Sequence, residues 1–256
     1  MTSAYDQIAH LYDVDMARNM PFDDVSLYAD LAQRAGGRVL ELGCGNGRIL
    51  LELLRRGIDA YGVDRSAAML TQLREKSGSS TAGRVCRMDA CALAFSDAFA
   101  LVLCPYSLIT YMAAESDVER MLDGIRRALS INGRVVIDAF VPRSGMSSEI
   151  FGFDYRRPYR NGVLTRAKRV APLGARRNRI ERHYEILGAD GILIEEIDTR
   201  EDIRLFAPDD VRASLTGAGF RIDTEWWDYA TNSRDSQPQF FTVAATALRG
   251  NRAYLA

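Results

Sequence analysis

Histidine is scarce in this chain: His10 and His183 are the only two in 256 residues. The four cysteines, Cys44, Cys86, Cys91 and Cys104, form no Cys-x-x-Cys pair. These two absences leave no His/Cys/Asp/Glu spacing of the kind a metal centre uses, so no metal site is expected. Without a paired spacing the cysteines read as reduced thiols of a cytoplasmic protein rather than as a secreted disulfide framework. No apolar run reaches the ~20 residues of a membrane span, and the opening MTSAYDQIAHLYD has no signal-peptide pattern, so no membrane partner is expected. An excess of one charge is also missing. The chain has 33 Lys and Arg against 34 Asp and Glu, a net charge of −1. Proteins that grip nucleic acid usually carry a basic excess, so no nucleic-acid partner is expected.

What is present is ordinary in amount: 47% apolar and 26% charged residues, the profile of a soluble globular protein. The length suits one domain, or one domain with an addition. From about residue 25 to 140, short β-like runs (RVLEL, AYGVD, GRVCRMDA, AFALVLCPY, RVVIDAF) alternate with helical patterns. Ser66 fits the cap of SAAMLTQLREKS. Ser116 or Asp117 fits the cap of the next long helix, with Asn132-Gly133 as its stop. This alternation predicts a mostly parallel sheet covered by helices on both faces. The pattern changes between residues 141 and 206. VLTRAKRVAP, RIERHYEIL and ILIEEIDTREDIRLF read as extended segments, the last two joined by the hairpin signal GADG. A three-stranded antiparallel meander is expected there. APDDVRASLTGAGF then reads as a helix started by Pro208 and stopped by Gly219, followed by two strands that return to the main sheet. The expected organisation is therefore a core over 1–140, an antiparallel insertion over 141–206 and a return to the core over 207–256. Within the insertion, residues 156–182 hold ten Arg or Lys and one acid, while 185–202 hold seven acids and one Arg. Two readings fit: cross-strand ion pairing on a solvated face, or a basic mouth for an anionic or peptide substrate.

RVLELGCGNGRILLELLRRGIDAYGVD carries the sharpest signal. Gly43, Gly45 and Gly47 fall at a strand-to-helix junction, preceded by Glu41. Glycine there permits positive φ and lets a ligand touch backbone. The junction lies in the crevice at the carboxyl ends of an open α/β sheet. The spacing is Gly-x-Gly-x-Gly, not the Gly-x-Gly-x-x-Gly that seats a dinucleotide diphosphate on a helix N-terminus. Packing against an amino-acid-like moiety fits better; a structural turn or a dinucleotide site is the alternative. Asp64 ends the next strand, where a carboxylate accepts ribose hydroxyls. Asp89 ends the third and is placed to meet an exocyclic amine.

These residues resemble a class I S-adenosylmethionine-dependent methyltransferase, and the resemblance runs over nearly the whole chain. Glu41 to Gly47 is similar to the family's first motif, Asp64 to its ribose-binding acid, and Asp89 with Ala90 to its adenine-contacting strand end. FALVLCPYSLITYM is similar to its fourth strand and following turn, and YDQIAHLYD to its pre-sheet helix, whose tyrosine closes over the cofactor. The resemblance implies a Rossmann-like, seven-stranded, mostly parallel sheet with the last strand antiparallel, here with the three-stranded insertion as a lid. It implies S-adenosyl-L-methionine as cofactor, held by Tyr12, Arg18, Glu41, Gly43, Gly45, Gly47, Asp64, Arg65, Met69, Asp89, Ala90 and Pro105. Arg18 is placed to pair the cofactor carboxylate, or is an exposed helix charge.

The candidates for the chemistry are Tyr12, Tyr106, Asp138 and His183. Tyrosine faces attract a sulfonium or ammonium cation, and Tyr5 and Tyr111 add to the set; the alternative is amphipathic tyrosines at the edge of the core. His183 is a general base or a half-exposed strand histidine. Cys104-Pro105-Tyr106 lacks the Asp, Asn or Ser found at this turn in enzymes that methylate base or glutamine amino groups. The expected acceptor is a small molecule or short peptide, at an amine nitrogen. The alternatives are a hydroxyl, or a non-catalytic protein that only binds the cofactor. Some relatives with such a meander methylate amino sugars and amino acids in natural-product biosynthesis and dimerise through it, so a homodimer is expected here too.

Overall fold

The computed structural model describes residues 3–143, 148–230 and 237–248, without the side chains at 18, 19, 148 and 149. The chain divides into two compact units, one joining Met1–Pro21 to Pro142–Leu205, the other joining Phe22–Val141 to Phe206–Ala256. In chain order the strands are β1 (Val39–Leu42), β2 (Ala60–Asp64), β3 (Val85–Arg87), β4 (Phe99–Cys104), β5 (Leu129–Phe140), β6 (Ser148–Tyr159), β7 (Gly162–Pro172), β8 (Arg177–Leu187), β9 (Leu193–Arg204), β10 (Phe220–Trp227) and β11 (Phe240–Ala247). The helices are α1 (Ala4–Ile8), α2 (Tyr12–Asn19), α3 (Asp24–Ala35), α4 (Leu50–Arg55), α5 (Ala67–Ser77), α6 (Glu115–Ala128) and α7 (Pro208–Gly217). Among the described residues, no helix is long and apolar enough to cross a membrane.

The larger unit is a seven-stranded sheet of order β10-β11-β5-β4-β1-β2-β3. β11 runs antiparallel to both neighbours and the other pairs are parallel, as expected. β1 is buried along its whole length, which is why its sequence is a nearly continuous apolar run: helices cover both faces of a parallel sheet. α6 buries the stripe Val118, Met121, Leu122, Ile125 and Ala128, spaced to lie on one helical face. These side chains share a core with Phe99, Leu129, Val135 and Ile137. The strand order reverses between β1 and β4, so the crevice for a ligand lies at their carboxyl ends.

Helix boundaries follow local chemistry. Ser66 caps α5, its side chain accepting the Met69 N–H at 3.1 Å. Pro208 opens α7, and Gly219, at φ 82°, lies just past its end. α6 differs from expectation: its cap is Ala114, and Asp117, three residues on, reaches back to the Ala114 N–H at 3.0 Å. The helix also stops earlier, at Ala128, and Asn132-Gly133 falls inside β5 with Asn132 at φ 60°.

The smaller unit is a four-stranded antiparallel sheet, β6-β7-β8-β9. Three strands are the expected segments. The fourth, β6, is not among them: Pro158 and Gly152 are locally discouraged inside a strand, and β6 lies at the sheet edge, where such residues are tolerated. One face packs Tyr155, Tyr159, Leu164, Tyr184, Ile186 and Ile197 with Ile8 and Leu11 of the N-terminal segment. Arg166, 1% exposed, is ion-paired with Asp15 of α2 and Asp154 of β6. The opposing charges of the meander meet across strands: Arg179 to Asp202 at 2.7 Å, Arg169 to Glu181, and Arg182 to Glu201. For these residues the ion-pairing reading is the right one.

Gly62 of β2 faces the chain just after β1. A Cβ there would lie 2.8 Å from Cys44 Cβ and Sγ and from Leu50 Cδ2. Gly62→Ala should therefore destabilise the larger unit by about 1–3 kcal/mol, the range for overpacking. Urea unfolding checks this as a lowered midpoint at unchanged slope.

Candidate active site

At the end of β1, Gly43, Gly45 and Gly47 all take positive φ, at 66°, 54° and 92°. The path is pinned by backbone bonds from Cys44 N–H to Val63 C=O at 3.1 Å and from Gly47 N–H to Cys44 C=O at 2.9 Å. Asp64, at the end of β2, fixes it further. One carboxylate oxygen accepts the Gly45 N–H at 2.8 Å and the other the Ser66 N–H at 2.7 Å. Met69 is buried beneath the loop, its Cε 3.3 Å from where a Gly45 Cβ would stand. Leu108 lies 3.1 Å from where a Gly43 Cβ would stand. Arg65 is exposed, and its carbonyl accepts the Arg87 side chain at 2.9 Å.

Glu41 is 3% exposed, and its Oε2 has no hydrogen-bond partner among the described residues. Burial pushes its carboxyl well above the usual carboxylate range, against the pull of the Arg48 guanidinium. A buried acceptor of this kind calls for a ligand that brings N–H donors. The glycine cradle, Asp64 and this Glu41 oxygen therefore fit a ligand with ribose hydroxyls and an ammonium group. Sequence reasoning missed the residues behind Glu41. Asp24, 1% exposed, holds Arg48 by two bonds of 2.6 Å and so anchors the start of α3 to the loop. The 24 positions between them hide the pair from any local motif.

Asp89 is exposed and caps the turn Ala90–Ala92, accepting the Cys91 N–H at 2.8 Å; Ala90 is half-buried. Beyond β4, Pro105 is buried and Tyr106 half-buried. Tyr106 packs edge-on against Phe140 at 5.5 Å, and Phe140, Phe240, Tyr229 and Phe22 continue the aromatic cluster. Asp138 is 0% exposed. It accepts the hydroxyls of Tyr28 at 2.5 Å and Tyr229 at 2.6 Å, the Tyr106 N–H at 2.9 Å and the Ser107 N–H. Burial raises its carboxyl and these donors pull it back; the net direction is upward. Cys104 is buried, and burial pushes its thiol far up; a neutral thiol is a poor nucleophile.

The larger unit thus brings together Glu41, the three glycines, Asp64, Arg65, Met69, Asp89, Ala90, Pro105, Tyr106 and Asp138. Tyr12, Arg18 and His183 belong to the smaller unit. Tyr12 is half-buried and meets Tyr5 edge-on at 6.0 Å. The Arg18 side chain lies outside the described set. His183, on β8, bonds through Nδ1 to Asp198 at 2.9 Å, with Glu196 and Glu185 nearby. Strand pairing thereby gathers His183, Glu196 and Asp198 on one sheet face, a grouping that no spacing in the sequence displays.

Comparison with known proteins agrees with this geometry. Residues 39–133 match a family described as a methyltransferase domain. A putative methyltransferase of Bacillus subtilis, YqeM, is 29% identical over 149 residues, covering 57% of this chain and 59% of that protein. The chain spans between about a third and three-fifths of the length of the curated relatives it matches. The fold is shared with an S-adenosylmethionine-dependent methyltransferase from Clostridium acetobutylicum, at a TM-score of 0.77 and 15% identity, covering 96% of this chain and 100% of that one. It is also shared with the sugar N-methyltransferase KedS8 from Streptoalloteichus, at 0.72 and 23%, covering 92% and 93%.

The carboxylates around His183 raise its pKa above the ordinary value, the Asp198 hydrogen bond most of all. A raised folded-state pKa gives stability that is complete below the unfolded value of ~6.5 and is lost as pH rises through the folded value. The site is partly exposed, so solvent screening keeps the effect below about 1 kcal/mol. His183→Gln should therefore cost stability near about pH 5.5 and almost none near about pH 9. Denaturant midpoints at the two pH values check the sign, and the native histidine should titrate above ~6.5 by NMR.

Proposed function

We propose that this chain, whose residues 39–133 match a methyltransferase-domain family, is an S-adenosylmethionine-dependent methyltransferase that methylates an amine nitrogen of a small molecule or short peptide. When bound, the cofactor supplies an electrophilic methyl group on a sulfonium. The protein's share is to hold, orient and exclude. Gly43, Gly45 and Gly47 give backbone contact without side-chain bulk. Asp64 accepts ribose hydroxyls while keeping the loop in place. Glu41 offers a buried carboxyl oxygen to the cofactor's ammonium, whose positive charge would in turn favour the ionised form of the carboxyl. Tyr106 and Phe140 furnish aromatic surface at the ends of β4 and β5, which suits a cation.

One observation carries the choice of nitrogen. Asp138, the carboxylate at the end of β5, is sealed from solvent under four hydrogen-bond donors and is not available as a base. The raised Cys104 thiol is no better. An amine needs no such group, because its neutral form already has a lone pair, whereas a hydroxyl must lose a proton as it attacks. Positioning then accounts for most of the rate. The sugar N-methyltransferase with the same fold supports this reading.

Three results are expected. Asp64→Ala should weaken S-adenosylmethionine by about 1.5–3 kcal/mol, the worth of hydrogen bonds to a charged acceptor; calorimetry reads it, and unchanged affinity would remove Asp64 from the site. Turnover should rise with pH and level off near the acceptor's own pKa, ~8 for a free α-amino group. Tandem mass spectrometry of the product should place the new methyl on nitrogen. A methyl on oxygen or carbon ends the amine reading, and binding without any turnover points to a protein that only holds the cofactor.

A further inference from the structure

The turn after β4 places two consecutive non-glycine residues, Tyr106 at φ 54° and Ser107 at φ 56°, in the left-handed region. Residues with a Cβ avoid that region, and β-turns seldom demand it twice in succession. Something must hold the chain there. Both N–H groups of the turn point at the Asp138 carboxylate, and Phe140 N–H closes the other side by donating to Ser107 Oγ at 2.5 Å. The remaining Asp138 bonds come from distant parts of the chain: Tyr28 on α3 and Tyr229, which follows β10. Tyr229 itself sits at φ 64° beside Asp228, whose carboxylate accepts the Gln239 and Phe240 N–H groups at 2.8 and 2.9 Å. The turn also touches the glycine loop, because its next residue, Leu108, occupies the space over Gly43.

We propose that Asp138, Tyr28 and Tyr229 are positioning residues: they lock the Tyr106–Ser107 turn in its left-handed shape and so fix the wall of the methyl-transfer site against the glycine loop. This rests on the methyl-transfer reading above. Asp138 exchanges no proton with substrate. Its carboxylate is required because it accepts on every side. Asparagine offers one oxygen and one NH2. The tyrosine hydroxyls rotate to accept from an NH2, but a backbone N–H does not. Whichever way the amide turns, either Tyr106 or Ser107 faces a donor, and the turn loses a restraint. In-line transfer is sensitive to such a shift: an error of about 1 Å costs on the order of 100-fold in rate.

The test uses the full chain carrying Asp138→Asn. Turnover is followed with methyl-labelled S-adenosylmethionine and a panel of amino sugars and free amino acids as acceptors. S-adenosylhomocysteine affinity is measured by calorimetry, and the Tyr106 and Ser107 amide protons by NMR. The expected result is turnover lower by about 100-fold, a far smaller change in affinity, an unchanged pH profile, and an upfield move of at least one of the two amides as its charge-assisted bond is lost. Unmoved amides, or full turnover in the folded variant, overturn the proposal. Loss of the pH dependence also overturns it, since Asp138 would then be a base. If Asp138→Asn does not fold, Tyr28→Phe and Tyr229→Phe each remove one donor without burying a new polar group; graded losses of turnover support the proposal, and a folded double variant with full turnover overturns it. A native chain that methylates none of these amines counts against the amine reading alone. The amide shifts then decide the role of Asp138 without catalysis.

Discussion

A parallel strand that ends in a crevice leaves backbone N–H groups with no neighbouring strand to accept them, and buried or half-buried donors must be paired. In this protein, aspartates at the sheet's carboxyl edge meet that need. Asp64 accepts Gly45 and Ser66, Asp89 accepts Cys91, and Asp138 accepts Tyr106 and Ser107. Each carboxylate turns a flexible connection into a defined surface at the place where a ligand enters an open α/β sheet. Residues that look like ligand contacts in the sequence are thus also the residues that build the contact surface.

The three carboxylates differ in what surrounds them, and that difference separates their roles. Asp89 is exposed and Asp64 half-buried, so both stay within reach of a ligand. Asp138 is wholly enclosed, and burial of a charge is costly unless it is well hydrogen-bonded. Two tyrosines and two amides provide those bonds, and the tyrosines' own hydroxyls are driven far up by burial and by the adjacent carboxylate. A network in which each member is satisfied rigidifies its surroundings. α3 ties the edge together from behind: Asp24 reaches the glycine loop through Arg48, and Tyr28, one turn on, reaches Asp138.

The legible part of the fold and site was the local part. Gly43, Gly45, Gly47 and Asp64 lie in one short stretch whose spacing carries its own chemistry, and the alternation of β1 to β5 with helices sufficed for the parallel part of the sheet, while its count of seven strands with an antiparallel one came from the family resemblance. What escaped was long-range or locally discouraged. Tyr28 and Tyr229 stand 110 and 91 positions from Asp138, so the sequence left Asp138 looking like a reactive acid at a strand end. Pro158 concealed β6, since only its place at a sheet edge makes it acceptable. The α6 cap was misplaced because Ala114 has no side-chain acceptor, and the capping bond comes instead from Asp117 reaching backward. The charge split of the meander was visible as composition, but which Arg meets which acid depends on strand register.

The central claim is that the carboxyl edge built by Asp64 and the glycine loop is where the cofactor sits. A crystal structure of this chain with S-adenosylhomocysteine tests it most directly. The account predicts both ribose hydroxyls within hydrogen-bonding distance of Asp64, the amino-acid end of the ligand against the Gly43–Gly47 backbone, and its ammonium satisfying the Glu41 oxygen. A ligand seated elsewhere, with no ribose hydroxyl within hydrogen-bonding distance of Asp64, would contradict it.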